Sequence, residues 1–291
     1  MPITRGRRSR GSATLARRAL ACAIAATAST VLAATPSAAQ TAAVPRSGRE
    51  LVQRMHDHYA GKWFHTLTFM QWTTRRNPDG TPLHETWFEA TQGDRLRIDI
   101  GAPGEGNGIL FTRDSVYRVR GGKVARATAD ANPLLPFVTT LYLQPVPRTL
   151  ADLAHDRYDM SAVRADTFEG RPVYVVGAHG ASDRTSPQFW VDAEQLVLRR
   201  MLLPPPGKTP ADSTQMEDIR MENYVPAAGG LLATEVQVIL NGAVIQREVY
   251  TNWRVDAPLP AELFDAGKWM EAPHWVAARV TPGAPGAGAP R

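Results

Sequence analysis

From Thr66 onward one pattern repeats along the chain: a short run in which apolar and polar side chains alternate, followed by a turn rich in Gly, Asn, Asp or Pro. A period of two sends successive side chains to opposite faces of a strand. Turns this short join antiparallel neighbours, because a parallel return needs a crossover of a dozen or more residues. The runs are Thr66 to Arg75, Leu83 to Thr91, Arg95 to Ile100, Ile109 to Phe111, Ser115 to Arg120 and Lys123 to Thr128, then Asp159 to Asp166, Arg171 to Ala178, Gln188 to Asp192, Leu196 to Leu203, Gln215 to Val225, Leu232 to Leu240 and Ala243 to Val255. Asn77-Pro78-Asp79-Gly80 and Gly121-Gly122 mark turns, and Asn241-Gly242 is the strongest hairpin signal. About a dozen such strands form a sheet too large to stay flat, so it is expected to curl. The alternation implies one wet face and one dry face.

Helical spacing occurs in three places. Ser47-Gly48-Arg49-Glu50 has the capping-box pattern, and Leu51, Val52, Met55 and Tyr59 then give one apolar face, with Gly61 as the stop. Asn132-Pro133 opens a very apolar run, Leu134 to Leu143, and Pro147 opens a short third helix. The apolar run serves either as a core helix that covers the sheet or as a lid made by Leu134, Leu135, Phe137, Val138, Leu141 and Tyr142 over a cavity. Pro133, Pro136 and Pro145 bracket or interrupt it, as expected of an irregular or hinged cover.

The N-terminus reads as an export signal over residues 1–39. Arg5, Arg7, Arg8, Arg10, Arg17 and Arg18 precede an uncharged, alanine-rich stretch and the small-residue site Pro36-Ser37-Ala38-Ala39. The stretch is too short to span a bilayer comfortably. Those six arginines account for the basic balance, since without them 27 basic residues face 28 acidic ones. No nucleic-acid footprint is therefore expected. Cys22, the single cysteine, falls inside the signal and reads as part of it rather than as a lipidation site, so no disulfide or thiol chemistry is expected after cleavage. A linker over 40–46, one domain over 47–275 and a Gly/Ala/Pro tail over 276–291 complete the expected organisation.

The seven histidines, His56, His58, His65, His84, His155, His179 and His274, form no His-Glu-x-x-His pattern and read as solvated or interface residues. No Gly-x-Ser-x-Gly elbow occurs. Gly104-Glu105-Gly106-Asn107-Gly108 precedes a strand rather than a helix, so it reads as a hairpin loop and not a phosphate cradle. Glu85, Glu89, Asp99, Asp192, Glu217 and Asp218 alternate with apolar residues and are assigned to a solvated face. No acid/base pair, metal or cofactor is expected, and the chain does not read as an enzyme.

The order of these features resembles the LolA-like periplasmic lipoprotein-carrier superfamily. The likeness rests on the capped helix Ser47 to Tyr59 after the signal, and on the strands Thr66 to Thr128 with helices at the centre. It rests further on Phe189-Trp190-Val191-Asp192 followed by Leu196-Val197-Leu198-Arg199-Arg200, and on the closing Asp256-Ala257-Pro258-Leu259-Pro260-Ala261-Glu262-Leu263-Phe264. The resemblance implies a mainly β, strongly curved antiparallel half-barrel of about eleven strands, lidded by a few short helices. It also implies a monomer in the periplasm whose partners are the acyl chains of lipid or lipoprotein. The family's lid latch, an arginine on an early strand, is matched to neither Arg75 nor Arg76. The expected cavity lining is Leu67, Phe69, Leu96, Ile98, Phe137, Leu141, Phe189, Val191, Ile219, Met221, Val236, Val238, Val249 and Trp253. A one-residue slip of strand phase would swap such a set to the other face. The alternative role on the same scaffold is an envelope sensor or assembly factor that binds a protein partner, and a side-chain-filled interior would mark it.

Overall fold

A computed structural model describes residues 43–276 apart from 78, 206 and 210–214, all within one unit spanning Ala42–Arg291. The expected signal with Cys22 and the tail beyond 276 lie outside the described residues.

Strand β1 (Thr66–Arg76) begins at the middle of the sheet. The chain then zigzags outward through β2 (Pro82–Gln92), β3 (Arg95–Ile100), β4 (Gly108–Phe111), β5 (Ser115–Arg120) and β6 (Lys123–Ala129), which forms one edge. It next crosses to the opposite edge, β7 (Val163–Phe168). From there it returns through β8 (Arg171–Val176), β9 (Gln188–Asp192), β10 (Leu198–Leu203), β11 (Glu217–Ala227) and β12 (Gly230–Leu240) to β13 (Ala243–Val255), which pairs with β1. Every neighbouring pair is antiparallel. The sheet has thirteen strands, against the eleven or so of the resemblance. Because β6 and β7 do not meet, it is a curved half-barrel and not a closed barrel.

The turns carry the left-handed residues that two-residue hairpins require. Asn241 and Gly242 have φ of +53° and +77°, and Glu169 and Gly170 have φ of +50° and +77°. Helix α1 (Gly48–Tyr59) is capped as its sequence demands, with the Ser47 hydroxyl accepting the Glu50 amide at 3.2 Å. The reciprocal half of the box differs: the Glu50 carboxylate takes the backbone amide of Arg46, one residue further back, together with the Arg46 and Arg54 guanidinium groups. The apolar face of α1 (Leu51, Val52, Met55, Tyr59) packs into the main core with Tyr174, Val176, Phe189 and Val191. It therefore fills the concave side over β8–β10.

Since the chain leaves one edge of the sheet and enters at the other, the crossover at residues 130–162 must run across the mouth of the half-barrel. Asn132 caps its start by accepting the Leu134 amide at 2.9 Å. Pro136, which has no amide to donate, begins a π-helical turn to Thr140. Helices α2 (Leu141–Leu143) and α3 (Val146–Leu153) follow. The run Leu134 to Leu143 is thus helical but irregular, with a π-helical turn from Pro136 leading directly into α2.

The expectation of one wet face does not hold for β2–β5. The segment after β13 folds back over their outer side, and Leu263, Phe264, Ala266, Trp269, Ala272 and Trp275 form a second core there with Ala90, Leu110 and Val119. Asp99 lies beneath this strap with no exposed surface, so its assignment to a solvated face is corrected. Arg97, also buried, donates to Asp99 at 2.8 and 2.9 Å and to the carbonyls of Leu263 and Trp269. Nε2 of His274 lies 3.0 Å from Asp99. Asp192 is likewise buried, where it accepts from Arg171 at 2.6 Å and caps the turn amides of Glu194 and Gln195. Asp218 and Glu217 are half-buried, and Asp218 holds Arg200 and Arg220.

Candidate functional site

Between the concave face of β1–β4 and β11–β13 on one side, and the crossover on the other, the packing leaves a cavity of about 280 Å³. That lies near the lower bound of small-molecule sites. Over the β8–β10 half of the concave face, α1 and Leu141 pack into one core with Tyr174, Val176, Phe189 and Val191.

Nine of the fourteen expected lining residues border the cavity: Leu67, Phe69, Leu96, Ile98, Phe137, Ile219, Met221, Val236 and Val238. Leu141, Phe189, Val191 and Trp253 instead belong to the packed core beside it. Val249 is on the other face of β13. A bulge explains the slip: Thr68 pairs with Arg254 and Met70 with Thr251, so β13 carries an extra residue there, and Asn252 takes φ +52°. Before the bulge Gln246, Glu248 and Tyr250 point into the cavity, and after it Trp253 and Val255 pack inward. A single uninterrupted phase puts Val249 and Trp253 on one face, and the bulge separates them.

Of the lid residues, Leu134, Leu135, Phe137, Val138 and Tyr142 face the cavity, and Leu141 turns into the core. Side chains from elsewhere hold the lid down. Trp63 donates its indole N–H to the Val138 carbonyl at 2.8 Å and stacks on Tyr142 at a centroid distance of 3.7 Å. The Thr139 hydroxyl donates to the Gly93 carbonyl at 2.8 Å, and Phe137 packs on Phe189 at 5.1 Å. A second groove of about 560 Å³, more polar than the first, shares Phe111, Asn132, Pro133 and Ile219 with the cavity and borders the Leu203–Pro205 loop. It offers a way in beside the lid.

The floor is not wholly apolar. On β2 the period of two places Glu85, Trp87, Glu89 and Thr91 on one face, and the bulky indole directs that face inward. Glu89, assigned from the sequence to a solvated face, is 4% exposed and borders the cavity. Burial, and then the neighbouring Glu248 carboxyl, push it well above the usual carboxylate range. Burial also raises Glu248, although the side chains of Gln246 and Tyr250 donate to its carboxyl. Glu85 differs, being held by Arg75 at 2.6 Å. No signal in the sequence marked Glu89 or Glu248, since a carboxylate between apolar residues looks the same whether its face is wet or covered.

Among the described residues no group of three His, Cys, Asp or Glu gathers as a metal site would require. No helix among them is long and apolar enough to cross a membrane. No protein-family model and no curated protein matches the chain. Solved structures do match. A DUF1329 family protein from Desulfovibrio piger ATCC 29098 is 16% identical with a TM-score of 0.50, over 75% of this chain and 95% of that one. At that identity the likeness is one of fold. A LolA superfamily protein from Nitrosomonas europaea is 13% identical with a TM-score of 0.48, over 75% and 97%. A domain described as an outer membrane lipoprotein-sorting protein domain, from Vibrio parahaemolyticus, is 13% identical with a TM-score of 0.46, over 77% and 98%.

Proposed function

We propose that this protein is a periplasmic carrier that holds acyl chains of a lipid or lipoprotein in the cavity beneath the crossover and catalyses no reaction. The observation that carries the reading is the void itself. Protein interiors are close-packed and rarely leave apolar space unfilled. This one does, under a lid interrupted by proline, while the other half of the same concave face is packed solid by α1. An interaction protein on this scaffold has no need of an empty interior, and this favours the carrier over the sensor or assembly factor.

The energetics are adequate without a specific polar contact. Each buried methylene contributes about 0.8 kcal/mol, so a sixteen-carbon chain gains at most roughly 13 kcal/mol gross. Association and ordering costs of about 5 kcal/mol leave micromolar affinity. The arginine-rich N-terminus supports delivery across the inner membrane, and the near-neutral charge of the remainder fits an apolar cargo better than a polyanion.

The test is native mass spectrometry of protein recovered from the periplasm, with extraction of bound lipid, alongside Val238→Phe, which fills the cavity. Wild type is expected to carry or take up alkyl chains, whereas Val238→Phe stays folded and does not. Wild-type protein that is always empty and takes up no fatty-acyl probe would sink the proposal.

A further inference from the structure

The carboxyl pair in the cavity floor is foreign to a site built for hydrocarbon alone. Glu89 is buried and borders the void, yet it makes no hydrogen bond or ion pair with any described residue. An unpaired polar group in such a place costs free energy unless something completes it. Glu248 lies in the same floor, where Tyr250 donates to it at 3.2 Å and Gln246 donates to the other oxygen. The Thr91 hydroxyl, which also borders the void, is buried without a partner. No Lys, Arg or His lines the cavity among the described residues. Arg75, on the same face of β1, is bonded to Glu85. Three aromatic rings stand beside the pair: Trp87 and Tyr250 line the cavity, and Phe69 lies 4.2 Å from Tyr250 between ring centroids.

We propose that Glu89 and Glu248, walled by Phe69, Trp87 and Tyr250, form a subsite for a cationic ammonium head, so that the preferred ligand is an alkyl ammonium amphiphile whose chain fills the cavity. The inference rests on the carrier reading. Two buried carboxyls with no base nearby offer a carboxylate or phosphate head no counter-charge for its desolvation, whereas an ammonium pairs with their ionised form and supplies the missing partner. Aromatic faces attract the same group through their quadrupoles. The raised Glu89 is consistent with a site whose counter-charge arrives with the ligand.

The test uses the mature full-length protein and three probes of one chain length, below their micellar concentrations: tetradecylammonium, 1-tetradecanol and tetradecanoate. Each competes with an uncharged fluorescent alkyl probe. The ammonium compound is expected to bind about tenfold more tightly than the alcohol, the equivalent of one charge-assisted contact, and tetradecanoate to bind most weakly. Glu89→Gln should bring the ammonium compound to the level of the alcohol without altering alcohol affinity, which also reports that the variant is folded. Glu248→Gln should shift the same ratio. Equal binding of ammonium and alcohol, or an unchanged ratio in both variants, overturns the subsite and leaves the cavity reading intact. Failure of all three probes to bind overturns both.

Discussion

Removing the Asp99 carboxylate should detach the C-terminal strap from the sheet. Asp99 has no exposed surface and is 0% accessible, while it accepts two bonds from Arg97 and a contact from His274. In Asp99→Ala the guanidinium keeps only the Leu263 and Trp269 carbonyls and the face of Trp269, 3.9 Å from its centroid. Breaking a buried pair from one side costs about 3–5 kcal/mol, because the surviving charge stays buried and uncompensated. For a domain of this size that lowers the melting temperature by roughly 10 °C. Arg97→Met with Asp99→Leu removes both charges and leaves the Leu263 and Trp269 carbonyls and the His274 ring nitrogen without these partners, but no buried charge, so it should cost less than Asp99→Ala alone. The pH dependence has a definite sign. Desolvation pushes Asp99 up, but the bonds from His274 and Arg97 outweigh it and hold the carboxyl below its ordinary value. The pair's contribution is therefore present above about pH 4 and is lost as pH falls through the depressed folded value. Urea unfolding of the three proteins, at neutral pH and in acid, measures all of this. A loss below about 1 kcal/mol in Asp99→Ala, or a double variant no better than the single, would refute the reasoning.

Two further outcomes are expected. Phe137→Ala removes the ring that joins the lid to Phe189, and it should cost about 3 kcal/mol in denaturant unfolding while raising the rate of alkyl-probe release; unchanged release would show that the lid does not limit escape. Burial lifts Asp156 to about 6, against the pull of His155. Its folded value lies above the unfolded one, so its own contribution to stability is full below about pH 4 and is lost as pH rises through 6. Asp156→Asn should flatten that decline in a series of unfolding curves, and an identical slope in both proteins would remove Asp156 as its source.

Much of the architecture is local, and so it can be read along the chain. Asn241-Gly242 favours the left-handed backbone of a two-residue hairpin whatever surrounds it. The alternation in Arg95 to Ile100 makes a strand whether or not anything covers it. Short turns then force neighbours to be antiparallel, and Ser47 caps α1 with atoms within three residues of itself. The prolines at 133 and 136 mark an irregular cover, because a residue without an amide fits a helix only in its first turn.

What the chain order could not reveal depends on contacts between distant segments. Alternation separates the two faces of a strand but carries no information about what later covers either one. Asp99 reads as wet because the strap that buries it with Arg97 lies more than 160 residues downstream, as the Arg97 bond to Leu263 records. Glu89 looked wet for the same reason, until the crossover closed over β2. A single bulge at Asn252 inverted the phase of β13 and moved Val249 out and Glu248 in. Local backbone chemistry decides strands, turns and caps. Burial, and with it the character of the cavity, is decided only when a second piece of chain arrives.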